Sequence, residues 1–281
     1  MLLALGGKGL NQNEAGIIHY ILTQISNNFN KNAMTKSMPT SLRSQQYPLI
    51  HDLANCIETV WRENLHLSPY LVPEDLGYVE GALEGERLII ENYCYQTTQF
   101  RKLHLELARV GNGLDILHCV MFPKPEYAIP IFGADLVSGR GSISAAIADL
   151  SPVHPERALP RSYYNALSSL PAIHFEQPRE LPQWGDIFSD FCLFVRPIGD
   201  REEAAFLQRV REYLTLHCQL AVATTPLTTS LEIEQILAGQ RYYCEKQQQN
   251  DKTRRVLEKS FGTEWTERYM TTMLFDYNST L

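Results

Sequence analysis

No apolar run in this chain approaches the roughly 20 residues a helix needs to cross a bilayer, so no membrane span is expected. The opening MLLALGG is too short for a secretory leader, and no small-residue cleavage site follows it. Six cysteines (Cys56, Cys94, Cys119, Cys192, Cys218 and Cys244) show no CxxC or other paired spacing. Several lie inside apolar runs, which points to reduced, buried thiols in a cytoplasmic protein rather than to disulfides or a zinc site. A net charge of −7 argues against general nucleic-acid binding, while leaving room for a local basic patch. Walker A, GxSxG and HExxH patterns are all missing. SGRGSIS joins two strands instead of opening a helix, and GGKG lacks both a strand and a helix, so neither is a nucleotide fingerprint. A redox enzyme built on this chain would carry no visible flavin, nicotinamide or metal motif. Its electrons would have to come from another protein.

What the chain does have is core: 281 residues, 44% of them hydrophobic, suffice for one large domain or two small ones. Residues 1–45 read as a flexible extension, since ISNNFNKNAMTKSMPTSLRSQQ is polar and aperiodic. Within it EAGIIHYILTQI (14–25) has a short amphipathic period, and Met34 offers an alternative start that would make 1–33 an addition to the reading frame. From residue 46 to 281 a single domain is expected. Leu49, Leu53, Ile57, Val60 and Trp61 recur at helical spacing. Strand-like runs follow, joined by short Gly-, Pro- or Asn-containing links that suit antiparallel neighbours. Helical segments close the chain: one face carries Phe206, Val210, Leu214 and His217, Thr229 and Glu232 form a capping box, and Gly262 suits a helix end. The expected fold is of the α+β type within the α/β class: a three-layer α/β/α sandwich around a central antiparallel sheet of about six or seven strands.

Chemistry concentrates between Arg101 and Asp135. In RKLHLELARV, Leu103, Leu105 and Leu107 share one strand face; His104, Glu106, Ala108 and Val110 share the other. In LDILHCVMF, His118 lies with Leu114, Ile116, Val120 and Phe122. In YAIPIFGADLV, Asp135 lies with Ile129, Ile131, Gly133 and Val137. Three adjacent strands thus bring ionisable groups into apolar company, and helices on both sheet faces would make those groups interior. A buried cluster of this kind has shifted proton affinities and can move protons. His104, Glu106 and His118 could instead serve as metal ligands, although no further ligand completes a shell. The small residues Ser142, Ser144, Ala146 and Ala148 alternate in SISAAIADL. They leave space above the sheet either for something flat or for a closely packed helix.

PEDLGYVEGALEGERLIIENYCYQT, FRKLHLELARVGNGLDILHCVMFP, SAAIADLSP, RELPQWGDIFS, NDKTRRVLEKSFGTEW and ERYM closely resemble the ferredoxin-dependent bilin reductases. The resemblance runs from Leu53 to Phe275 without a large gap. It implies an antiparallel sheet between helices, with biliverdin IXα held against the sheet. It also implies four-electron reduction through radical intermediates, with electrons supplied singly by a [2Fe-2S] ferredoxin and no metal or cofactor bound to the chain. Within the family, the residues point to the branch that makes phycocyanobilin. Glu106 then matches the group that protonates the D-ring vinyl; His118 and Asp135 match the proton-transferring pair, and His104 their supporting imidazole. Arg179 and Lys252 are implied to hold the propionates, Lys252 from a loop, with Ser144, Asn250 and Asp251 assisting. For Trp184, core packing is an equal explanation. Arg254, Arg255 and Lys259 are implied to meet the acidic ferredoxin, and a cytoplasmic monomer is expected. Three alternatives stay open: another bilin product, a non-catalytic bilin carrier, and a metal-dependent enzyme.

Overall fold

The computed structural model describes residues 41–276; the amphipathic stretch 14–25 and Met34 lie outside them. After a short 3-10 turn (Leu42–Gln45), helix α1 (Pro48–Asn64) begins with a proline at its first position, where no amide donor is needed. Its stripe of Leu49, Leu53, Ile57, Val60 and Trp61 is buried, as the helical spacing predicts. The strands are β1 (Ser68–Pro69), β2 (Tyr78–Leu83), β3 (Glu86–Gln96), β4 (Phe100–Val110), β5 (Leu114–Pro123), β6 (Ile131–Gly139), β7 (Ser142–Ser151) and β8 (Leu193–Val195). The short helix α2 (Glu74–Gly77) precedes β2, and α3 (Arg161–Ser168) lies between β7 and β8. The C-terminal helices are α4 (Gly199–Ala223), α5 (Ser230–Gln247), α6 (Asp251–Phe261) and α7 (Thr263–Tyr269), which runs on into a π-helical turn, Met270–Leu274.

Among the described residues, all eight strands form one antiparallel sheet in the order β1-β3-β4-β5-β6-β7-β8, with β2 also paired to β3. The strand beyond the expected seven is the two-residue Ser68–Pro69. Helices cover both faces. On one side α1, α3 and α4 pack on Leu103, Leu105, Leu107, Leu117, Met121 and Phe132. On the other, α5, α6, α7 and the π turn pack on Ala108, Ile116, Val120, Phe122, Ile131 and Ile147. The three-layer sandwich read from the sequence is therefore the fold. α5 approaches the sheet side closely at Gly239, where a Cβ would fall 1.8 Å from the Val153 carbonyl oxygen.

Two strand expectations fail. Ile129 does not share the face of Asp135: Pro130 precedes the first ladder residue, the strand begins at Ile131, and Ile129 packs into the opposite core. The alternation read along SISAAIADL also breaks. Val137 pairs with Ala145 but Ser138 with Ile143, so Ser144 is an extra, bulged residue and the parity changes across it. Ala146 and Ala148 consequently lie in the core beneath α1 and α4, whereas Ala145 and Ile147 face α5–α7. Packing of α4 on β7 takes up the space the small residues leave on that side.

Candidate active site

Glu106, His118 and Asp135 stand in one row across the sheet. Glu106 pairs with His118, and His118 with Asp135, so the three side chains rise from adjacent strands on the same face. Asn92 of β3 extends the row by pairing with Glu106. His104 stands one pleat along β4, opposite Cys94. Glu106, His104, His118 and Asp135 are all buried. The leucines on the opposite face of β4 lock the strand's orientation, since a one-residue slip would exchange the two sets.

His118 Nδ1 donates to Asp135 Oδ1 at 2.7 Å, and its ring meets that of His104 edge-on at 5.9 Å. Tyr269 of α7 reaches down to the row: its hydroxyl is 2.7 Å from Glu106 Oε2 and 3.0 Å from Asn92 Oδ1. His104 Nε2 donates to the same Asn92 oxygen at 2.6 Å. Glu106 Oε1 and His118 Nε2 are buried without a hydrogen-bond partner among the described residues. They are two polar atoms left for a ligand or a proton.

Burial lifts the Glu106 carboxyl above its ordinary range even though His118 and the Tyr269 hydroxyl favour its charge. Burial also holds the His104 imidazole well below its ordinary value, with neighbouring Lys102 and His118 acting in the same direction. For Asp135 the influences oppose each other: burial penalises the charge, and His118 stabilises it. A carboxylic acid whose proton affinity is raised by burial, beside an imidazole held below its ordinary range and a His–Asp pair, is equipped for general acid chemistry. Among the described residues no three His, Cys, Asp or Glu side chains converge in a metal-binding arrangement.

The C-terminal segment closes over this face. Fully buried Lys102 donates to the carbonyls of Thr272 (3.2 Å) and Met273 (2.9 Å) and to Asp276 Oδ1 (2.5 Å). Arg101 grips the other Asp276 oxygen and its carbonyl. Phe275, held between these contacts, packs edge-on against His118 at 5.8 Å.

The residues expected to bind carboxylates are more dispersed. Arg179 Nη2 donates to the Ser144 carbonyl at 2.8 Å, so these two come together beside the bulge. Lys252 lies in the first turn of α6 rather than on a loop, and Asn250 caps that helix by accepting from the Lys252 amide at 3.3 Å. Asp251 is exposed and faces Arg255 at 3.8 Å. Arg254 pairs with Glu267 (2.5 Å), and Lys259 lies 4.0 Å from Glu84. Trp184 packs with Phe188 against the core on the α5–α7 side.

Asn92, Tyr269 and Lys102 are absent from the sequence-derived site. Tyr269 reads as one more apolar residue in the stripe with Trp265 and Met273. Its phenol was the available signal, because a buried tyrosine hydroxyl needs a partner.

The sequence pattern of the ferredoxin-dependent bilin reductases matches residues 54–276. A Synechococcus elongatus protein named phycocyanobilin:ferredoxin oxidoreductase is 60% identical over 247 residues, covering 88% of this chain and all of the relative. A Trichodesmium erythraeum protein of the same name is 58% identical over 243 residues, covering 86% of this chain and 99% of its own. The crystal structure of tomato phytochromobilin synthase in complex with biliverdin superposes with a TM-score of 0.66 at 17% identity, over 79% of this chain and 81% of the tomato chain. That likeness speaks for the fold, and the family match and the two close relatives for descent. The chain belongs to the ferredoxin-dependent bilin reductase family.

Proposed function

We propose that this chain reduces biliverdin IXα to phycocyanobilin, adding four electrons from ferredoxin one at a time and matching them with four protons. The observation that carries this reading is the buried row Glu106–His118–Asp135, with His104 beside it. Adding electrons to an extended π-system raises its basicity, so each reduction calls for a proton at a chosen atom. Glu106, whose burial favours its protonated form, is the donor to the D-ring vinyl. His118 and Asp135 form a second donor, joined by their 2.7 Å hydrogen bond, for the carbonyl and pyrrole nitrogens. His104 supplies His118 with replacement protons.

Arg179 and Lys252 bind the two propionates, Arg179 from beside Ser144, with Asn250 and Asp251 at the same helix start as Lys252. The acidic ferredoxin docks over α6, on Arg254, Arg255 and Lys259. These cations already face Glu267, Asp251 and Glu84, so docking exchanges local ion pairs for intermolecular ones. Electrons then reach the pigment from ferredoxin without a resident cofactor. All six cysteines are free, in keeping with a cytoplasmic enzyme.

The test is anaerobic turnover of biliverdin with reduced ferredoxin and its reductase, followed by chromatography of the product. Phycocyanobilin is expected, and Glu106→Gln should accumulate a partly reduced bilin. Binding of biliverdin with no spectral change under continued electron supply would mark a carrier instead. A different product would move the chain to another branch of the family.

A further inference from the structure

We propose that Asn92 is a positioning residue that fixes where protons sit in the buried cluster: its accept-only oxygen holds His104 in the Nε2–H tautomer and offers the Tyr269 hydroxyl a second acceptor when Glu106 is protonated. The inference deepens the reading above and rests on the cluster being its proton store.

The orientation of the Asn92 amide is assigned by its own surroundings. Nδ2 donates to the Leu76 carbonyl at 2.7 Å. Turned over, the amide would set its oxygen against that carbonyl, two acceptors at hydrogen-bond distance. Oδ1 therefore faces the cluster, where it has two lone pairs and two incoming groups, His104 Nε2 at 2.6 Å and the Tyr269 hydroxyl at 3.0 Å. Because Oδ1 cannot donate, His104 Nε2 must carry a hydrogen. A neutral imidazole carries only one, and burial disfavours a second. Nδ1 is then the bare nitrogen, and it has no hydrogen-bond partner among the described residues. The Met273 carbonyl nearby favours the charged ring, against the larger effect of burial. Cys94, Lys102, His118 and Tyr269 are the other ionisable groups around this imidazole.

The same oxygen orders Tyr269. A phenol has one hydrogen, and two acceptors lie within reach. While Glu106 is ionised, the hydrogen goes to Oε2 at 2.7 Å. Once Glu106 takes up a proton, its carboxyl donates to the phenol oxygen, and the phenol hydrogen turns to Asn92 Oδ1. Glu106 can therefore gain and lose its proton by rotation of one hydroxyl, with no donor stranded in the interior. An apolar residue at position 92 would remove that second berth.

The experiment uses the full chain without bilin or ferredoxin, so its outcome does not depend on the reductase reaction. Long-range proton–nitrogen NMR of histidine-labelled protein, with His104→Gln to assign the resonances, reads the tautomer directly. His104 should show a protonated Nε2 and a bare Nδ1 near neutral pH. Tyr269→Phe should leave that pattern unchanged, because the Asn92–His104 bond remains. Asn92→Leu should abolish it, giving a mixed or Nδ1-protonated ring. An Nδ1–H tautomer in the unmodified protein overturns the proposal even if the Leu variant does not fold. So does an unchanged Nε2–H pattern in a folded Asn92→Leu, or loss of the pattern in both variants.

Discussion

Asp276→Asn tests the clasp that holds the C-terminal segment over the site. Lys102 is fully buried, and its ammonium meets one carboxylate oxygen and two backbone carbonyls; Asp276 is shared with Arg101. Replacing the carboxylate by an amide keeps the shape but leaves two cations without their common counter-charge. Breaking a buried pair in this way costs about 3–5 kcal/mol. The two carbonyls still solvate Lys102, so a loss near the lower end, about 3 kcal/mol, is expected. Lys102→Met differs: Asp276 keeps its charge partner Arg101 at 2.8 Å, and its other oxygen and the two carbonyls lose a donor, costing about 1–3 kcal/mol. The pH dependence separates the two variants. Burial already lowers the Lys102 pKa from its ordinary 10.5, and removing Asp276 lowers it further. Between the folded and unfolded values the unfolded chain binds the extra proton, so stability rises with pH through that window. The Asp276→Asn deficit should shrink as pH climbs toward 10.5, while the Lys102→Met deficit should not. Urea denaturation at matched slopes measures both. A deficit below about 1 kcal/mol for Asp276→Asn, or a larger one for Lys102→Met, would refute the assignment of the clasp to this ion pair.

Glu106→Gln should be more stable than the unmodified protein at neutral pH. The raised folded pKa of Glu106 gives stability that is complete below 4.5 and lost as pH rises through the folded value, so the advantage should vanish on acidification. Equal denaturation midpoints across pH 4–8 would place Glu106 in a solvated setting. Gly239→Ala puts a methyl 1.8 Å from the Val153 carbonyl oxygen and should push α5 outward, at a cost of at least 1–3 kcal/mol on the scale of overpacked cores; an unchanged melting temperature would contradict the close approach. Ferredoxin-driven turnover should fall as ionic strength rises, and charge reversal at Arg255 should flatten that dependence if α6 is the docking surface. A salt slope unaltered by Arg255→Glu would move the docking surface elsewhere.

How much of this was legible in the chain follows the range of the forces involved. Alternation of Leu103, Leu105 and Leu107 with His104 and Glu106 is a property of one strand, and it put the ionisable groups on the correct face of β4, β5 and β6. His217, on the apolar stripe of α4, is likewise where its spacing puts it: Tyr163 donates to its Nδ1 at 3.0 Å, and burial holds its pKa at about 3. What alternation cannot carry is register. Asn92 pairs with Glu106 because the turn after Gln96 sets how β3 and β4 align, and a two-residue difference there would have brought Ile90 or Cys94 into the row. The bulge at Ser144 shows the same limit from the other side: one unpaired residue re-aimed Ala146 and Ala148 away from the face their parity indicated.

Closure is harder to read than register. A lysine on a strand is ordinarily a solvent-facing residue, and nothing within reach along the chain marks Lys102 as interior. Its partners, Met273 and Asp276, lie more than 170 positions away, and they reach it only because α7 continues into a π turn whose last carbonyls point at β4. The buried ammonium therefore presupposes the finished fold: without the C-terminal segment it would be an unpaired charge on an apolar sheet. That dependence puts the clasp and the proton cluster under one control, since the same segment supplies Tyr269 to Glu106 and sets Phe275 against His118. Loosening Asp276 should then disturb the site as well as the fold, and the Asp276→Asn variant should lose turnover at urea concentrations too low to unfold it.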